Sequence, residues 1–494
     1  MPDPVIIPFD LPLPQVLPTI EGNVDYRDLR DQLLRIDQLL LTTGLENRLI
    51  EQDLQGWLSR RKRVSARAQQ NRQRHGRRAL RCNIARHLLE EDYRRFAAHA
   101  ADSPLLQYFC GLSEVDRVAV PSKSTLQRYA LWWPEEQVHR VIEQVLLQGA
   151  GAPDRLALPE PLDLESAFLD TTCIAANIHY PVDWVLLRDA TRTLMKAVQL
   201  IRDQGLKHRM EEPKSFVRRI NQLCIQMTHA TRRDERRRQR KKTLRQMDRV
   251  VGVVRHHARR YRDLLAEHWA KTQWTQPQAQ QVLRRMDRVL GQLPQARRQA
   301  RQRLLAGQAV ANEDKILSLY EPDVHVIVRG KAGAEVEFGN VLFLAENPQG
   351  LIIDWELIRG LAPADSVLLP RSVGRMAQAY GDVLNALAGD RGFDSQVNRV
   401  GLALERIYNG VCPRDPQQLA QRGRSYKFKR LQRRRAQTEA RLAIVKNVFL
   451  GGRLRSKGFP HRDLAITWTV LVHNLWVLAR LQRRAAEQAR RLAA

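Results

Sequence analysis

A predominantly helical chain organised around an α/β core, a mixed sheet of five or six strands with helices, is what the sequence predicts. Three observations carry that expectation. From Ile316 the apolar period changes from helical to two: Val324 to Val328, Val341 to Ala345 and Leu351 to Leu357 alternate or run apolar between glycine-containing turns, as an antiparallel meander does. Two further apolar runs, Ala167 to Leu169 and Val383 to Ala388, each deliver an acid, Asp170 and Asp390, from a strand. Between the first of these and the meander, more than a hundred residues keep a helical period, which marks an insertion within the core.

Residues 1–25 are a proline-rich extended arm that cannot be helical. Tyr26 to Trp57 turns helical, with Leu33, Leu34, Ile36, Leu40 and Leu41 on a broad apolar face that also contains Asp37. Arg60 to Arg81 then holds ten basic residues and no acid, beginning with Arg60, Arg61, Lys62 and Arg63. Cations at this density repel one another, so the segment is expected to order only on an anion, as a clamp on a phosphate backbone. Residues 79–133 read as compact helices, the last capped by Ser122 or Ser124 and carrying Lys123 and Arg128 as candidates for a DNA groove. Residues 26–150 thus form a helical, DNA-binding N-terminal domain, closed by a linker marked by Pro134 and the Gly/Ala/Pro stretch from Gly149.

The core is assigned to residues 160–184 and 312–460, with residues 185–311 inserted. In the insertion Leu244, Met247, Val251, Val254, Ala258, Tyr261 and Leu265 recur in steps of three and four. Trp274 to Pro277 breaks the pattern, and Val282, Met286, Val289, Leu293 and Ala296 resume it. This predicts two long helices in an antiparallel hairpin whose seam packs within the chain. Its outer faces are intensely basic, with Arg236, Arg237, Arg238, Lys241 and Lys242 placed to hold DNA. Val373 to Tyr380 is expected as a crossover helix and Arg406 to Val411 as a short strand. Residues 461–494 are C-terminal helices with Trp468, Leu471, Leu475 and Leu478 as a core stripe and His473 as a core histidine. The apolar run Leu464 to Leu478 is short for a bilayer, so no membrane is expected as partner.

A formal charge of +29 and a pI near 10.7 point to a polyanionic partner, nucleic acid before membrane. If some six to ten of these cations meet phosphates, affinity falls by about three to five decades between low and moderate salt. The five cysteines are odd in number and scattered without a CxxC pair, which argues for a reducing compartment and against structural zinc. The N-terminus lacks the basic n-region of a signal peptide.

The stretch that organises the chain is Arg433 to Arg453, an expected amphipathic helix with Leu442, Val445, Val448 and Phe449 on one side and Gly451-Gly452 as its stop. It gives Glu439 a rigid mount, with Arg435 one turn before it and Lys446 two turns after. The acid at 170 is followed by Thr171-Thr172, Asn177 and Tyr180-Pro181-Val182-Asp183; the acid at 390 opens Asp390-Arg391-Gly392-Phe393-Asp394-Ser395.

As an ordered set, these motifs resemble those of bacterial insertion-sequence transposases of the DDE type, over most of the chain from about residue 77. Arg435, Glu439 and Lys446 match the spacing of that family's tyrosine-arginine-glutamate-lysine signature, whose tyrosine would fall at Gln432; what that tyrosine does is missing here or supplied elsewhere. The resemblance implies an RNase H-like catalytic domain with Asp170, Asp390 and Glu439 as ligands of two divalent ions, Mg2+ or Mn2+, Asp170 being a candidate bridge. It implies Arg435 and Lys446 on phosphates of double-stranded element ends, strand cleavage there, and attack of the 3′-hydroxyl on target DNA. A homodimer on DNA in the bacterial cytoplasm, at the nucleoid, is the expected setting. Two alternatives are a decayed transposase that organises DNA without turnover and a plain metal-dependent nuclease.

Overall fold

The computed structural model describes residues 17–114, 117–228, 233–331 and 334–493, so most of the arm expected over residues 1–25 lies outside it. Seven helices come first: α1 (Val24–Thr42), α2 (Leu45–Leu58), α3 (Ala66–Leu88), α4 (Tyr93–Asp102), α5 (Pro104–Cys110), α6 (Lys123–Ala130) and α7 (Glu135–Gly151). The helical stretch expected over Tyr26 to Trp57 is made of two helices, α1 and α2. Gly44 takes φ +65°, a left-handed turn that glycine adopts without strain, and reverses the chain between α1 and α2.

The basic run also departs from expectation, because most of it is ordered as α3. Ser65 caps that helix, and its inward arginines meet acids contributed by neighbouring elements. Arg81 lies between Asp37 and Glu46, 2.7 Å from each, Arg77 reaches Glu46 at 2.6 Å, Arg72 reaches Asp53 at 2.6 Å and Arg78 reaches Glu114 at 3.1 Å. Repulsion within the run is offset by carboxylates remote in sequence, which local charge counting cannot see. Asp37, the unexplained acid on an apolar face, is one of them. Pro134 stands at the N-cap of α7 rather than in a linker.

The strand β1 (Ser166–Ala175) follows, and then four helices rather than the expected two: α8 (Asp183–Asp203), α9 (Pro213–Thr228), α10 (Arg233–His268) and α11 (Gln276–Arg301). They form a bundle with its own core. Every residue of the seam from Leu244 to Leu265 is buried there, against Leu194, Val198, Phe216 and Ile220 of α8 and α9. The seam is internal, as its spacing suggested.

The chain returns to the sheet with β2 (His325–Lys331), β3 (Ala334–Glu346) and β4 (Ile352–Leu357), then α12 (Asp365–Tyr380), β5 (Ala386–Ala388), α13 (Gln396–Leu404), β6 (Tyr408–Asn409), α14 (Pro416–Arg422), α15 (Tyr426–Arg435), α16 (Thr438–Ile444) and α17 (Phe459–Ala493). The six strands are ordered β2-β3-β1-β5-β6, with β4 also paired to β3. Contacts of β3 are antiparallel, whereas β1, β5 and β6 are parallel. The sheet is therefore mixed, as expected. Gly339 lets β3 lie tight against β1: a Cβ there would collide with the Ile174 carbonyl.

A continuous core that includes Leu169, Phe343, Trp355, Trp133 and Trp468 joins the sheet to the N-terminal helices and α17, with Trp355 donating to Thr467 of α17 at 3.3 Å. The indole nitrogens of Trp133 and Trp468 donate to the carbonyls of Leu49 and Ala130 at 3.0 and 3.2 Å, binding α2, α6 and α17 together. The C-terminal helices expected are one helix of 35 residues. Among the described residues it alone is long and apolar enough to cross a membrane, and its apolar stretch is mostly buried here. His473 is fully buried in it, and burial with Arg441 nearby pushes its pKa down to about 3, so it is neutral. A separate small patch, Phe168, Ala386, Ala388 and Leu431, is covered by α15.

Candidate functional site

Period two along a strand places Phe168 and Asp170 on the same face, and Ala386, Ala388 and Asp390 follow the same alternation. The parallel register pairs Phe168 with Ala388. Two residues further on each chain stand Asp170 and Asp390, which are thereby brought side by side just where β5 ends. Asp170 lies in the middle of β1, not at its end, because β1 continues along β3 after β5 has stopped.

Asp390 is held by its own turn. Its Oδ1 accepts from the Gly392 amide at 2.8 Å, capping the short helical turn Arg391–Phe393. A Cβ on Gly392 would stand 2.5 Å from Asp365 Oδ2 and 3.0 Å from Asp390 Oδ1. Glycine thus lets a second carboxylate, Asp365 at the start of α12, approach this turn, where it also accepts from Thr171 Oγ1 at 3.2 Å. Asp365 was not legible in the sequence, where an acid after Pro363-Ala364 reads as an ordinary helix start.

Glu439 is carried on the same face by α16. The expected continuous helix from Arg433 is broken: α15 ends at Arg435, α16 begins at Thr438, and a π-helical turn, Val445–Phe449, leads to Gly451 and Gly452 at φ +64° and +81°. Leu442, Val445 and Phe449 are buried as expected, but Val448 is exposed. What anchors this segment is Glu346, fully buried at the end of β3. It accepts from Arg434 at 2.8 Å, Thr438 Oγ1 at 2.8 Å and Arg441 at 3.0 Å. An acid before Asn347-Pro348 looks like a turn residue in sequence, so this anchor was missed too.

Gln432 stands one turn before the break. Its Nε2 donates to the carbonyls of Gly389 at 3.1 Å and Gly410 at 2.6 Å, tying the residue before Asp390 to the exit of β6.

Electrostatically the three acids form one group. Burial pushes the Asp170 carboxyl up to about 6; the Thr171 amide, 2.7 Å from its Oδ1, and the Arg435 charge pull it down, while Asp390 and Glu439 push it further up. Arg435, mostly buried, also pairs with Glu439 at 3.5 Å, while Glu439 itself is 68% exposed. Arg435 is thus the cation that now balances the acids. Lys446 is half-buried on the π-helical turn.

No protein-family model, curated protein or solved structure matches this chain.

The donor chemistry fits hard divalent ions: carboxylate oxygens with no thiol or imidazole among them. Among the described residues no three His, Cys, Asp or Glu side chains gather closely enough to cage an ion, and Glu439 is paired with Arg435. Asp170 and Asp390 would hold the metal, and Glu439, on an exposed mount, would join on leaving Arg435.

Of the cations expected to meet DNA, Arg60, Arg61, Lys62 and Arg63 are exposed in the turn before α3, Lys123 and Arg128 are exposed on α6, and Arg237, Arg238 and Lys242 are exposed on α10. Lys241 is half-buried, and the side chain of Arg236 lies outside the described residues. These groups are distributed over the N-terminal helices and the bundle. The five cysteines are free.

Proposed function

We propose that this chain is a metal-dependent DNA transposase of the DDE type, with an RNase H-like core, that cuts DNA at the ends of an insertion element and joins them to target DNA. The observation that carries the reading is the Asp170 carboxyl, set beside Asp390 by the parallel register and subject to the charge of both Asp390 and Glu439. A buried carboxyl beside two other acids is a folding liability unless a cation meets it.

Divalent ions, when bound, supply charge neutralisation at the attacking and leaving oxygens of a phosphodiester. The protein's own part is to orient and to bind. Asp170 is fixed by the Thr171 amide, Asp390 by Gly392 and through Gln432, and Glu439 by the Glu346 anchor beneath α16. Arg435 is placed to exchange Glu439 for a DNA phosphate. A homodimer on double-stranded DNA in the bacterial cytoplasm is the setting this reading implies.

The Arg435–Glu439 pair favours a second reading, a DNA-organising protein that binds without turnover. One experiment separates them. Purified protein is incubated with Mg2+ and a plasmid carrying the DNA that flanks the gene. Nicking and strand transfer are expected, with Asp170→Asn, Asp390→Asn and Glu439→Gln each inactive yet unaltered in gel shift. Nicking without joining would identify a nuclease, and activity in a triple variant would refute the site.

A further inference from the structure

Where β1 ends, the chain crosses residues 177–182 before entering α8, and a cavity of about 490 Å3 opens between that crossing, α8, α11 and the segment leading to β2. Its centre is some distance from the acids: the strand alone carries the chain about 17 Å from Asp170 to Ala175. Arg188, Arg192 and Lys196 line it at intervals of four residues on α8, in steps of about 6 Å along the helix axis. Arg285 of α11 and Lys457 before α17 contribute from other walls. Arg188 is paired with Asp189 at 3.0 Å. Arg192, Lys196, Arg285 and Lys457 are exposed and have no carboxylate partner among the described residues. Tyr180 lines the same cavity with 77% of its surface exposed, steadied by an edge contact with Phe338 at 5.6 Å between ring centroids. A second tyrosine, Tyr320, is fixed in the wall by its hydroxyl bond to Thr193 at 2.6 Å.

We propose that this cleft binds a single-stranded segment of nucleic acid, with phosphates on the four unpaired cations and a base against Tyr180. The inference rests on the transposase reading for the source of the strand. A row of cations joined to an exposed aromatic ring is what an unpaired strand requires, since phosphates and base faces are both available to it. A free nucleotide gathers its phosphates at one point and would leave part of the row unmet. A duplex has no unstacked base to offer Tyr180.

The test is fluorescence anisotropy of a labelled single-stranded deoxyoligonucleotide with the full chain. Arg192→Glu/Lys196→Glu is expected to weaken binding at least tenfold and to reduce the slope of log affinity against log salt by about 1.4, roughly 0.7 per lost phosphate contact. Tyr180→Ala is expected to weaken it about fivefold or more. An oligonucleotide carrying 5-iodouracil should crosslink to the peptide containing Tyr180, a readout that does not depend on how the variants fold. Binding within twofold of wild type in both variants, crosslinks confined to other peptides, equal competition by blunt duplex, or displacement by equimolar ATP would each overturn the cleft. If the cleft variants lose the strand while the protein never nicks DNA, the cleft stands and the transposase reading falls. If the protein nicks DNA and the variants bind normally, the reverse holds.

Discussion

Replacing Asp170 by Asn should make the metal-free protein more stable and the metal-loaded protein relatively less so. The carboxyl is buried beside two other acids, and its pKa stands near 6 against about 3.8 for a free aspartate. A folded-state value above the unfolded one means that stability is fully present below pH 3.8 and is lost as pH rises through 6. At about 1.4 kcal/mol per unit, the penalty above pH 6 is about 3 kcal/mol. Asn keeps an oxygen for the Thr171 amide and removes the charge, so the variant should gain most of that amount at pH 7 and nothing at pH 3.5. Divalent ions reverse the order. At one hundred times its dissociation constant a ligand adds about 2.7 kcal/mol to the protein that binds it, and only wild type should respond. Urea unfolding of both proteins across pH 3.5–8, with EDTA or Mg2+, measures every term. An Asn variant less stable than wild type at pH 7 in EDTA, or an equal response of both proteins to Mg2+, would refute the reasoning.

Three further outcomes follow from the same geometry. Glu346→Ala strands two mostly buried arginines, Arg434 and Arg441, and should cost about 3 kcal/mol in denaturant unfolding while loosening α16. Gln432→Leu removes both bonds to the glycine carbonyls and should weaken Mg2+ binding by calorimetry about tenfold, with α15 helicity retained by circular dichroism. Asp463 has its carboxyl pushed up to about 7 by burial and by Glu135, so wild-type stability should fall as pH rises from about 4 through 7, whereas Asp463→Asn should melt higher than wild type at pH 8 and equally at pH 4.

Period was the most legible property of the sequence. The meander, the strand before Asp170 and the internal seam are set by local alternation and stand where alternation placed them, while of the strand expected over Val383 to Ala388 only Ala386–Ala388 pairs into the sheet. What could not be read is what depends on remote partners. Arg72, Arg77, Arg78 and Arg81 looked like a repelling run because Asp53, Glu46, Glu114 and Asp37, which neutralise them, come from other elements. The helical period after Asp183 and the insertion at residues 185–311 take in α8 and α9, but only the stronger heptad pattern downstream resolves into helices, so a hairpin of two was expected where a bundle of four stands. The break at Ala436–Gln437 was hidden because nothing in Arg-Arg-Arg-Ala-Gln-Thr-Glu disfavours a helix; the bonds of Arg434, Thr438 and Arg441 to Glu346 lie on either side of it. Asp170, Asp390 and Glu439 were legible as acids in distinctive settings, but their proximity is a property of strand register and helix docking. Gln432 was seen only as a departure from a pattern, and its role as a tie between two turns needed coordinates.

The claim on which the account turns is that Asp170, Asp390 and Glu439 meet around divalent cations. Anomalous diffraction at the manganese edge from crystals soaked in Mn2+ tests it most directly. Density is expected between the carboxylates of Asp170 and Asp390, with Glu439 moved off Arg435 to join them. Saturating Mn2+ with no peak at these carboxylates, and Glu439 still on Arg435, would contradict it.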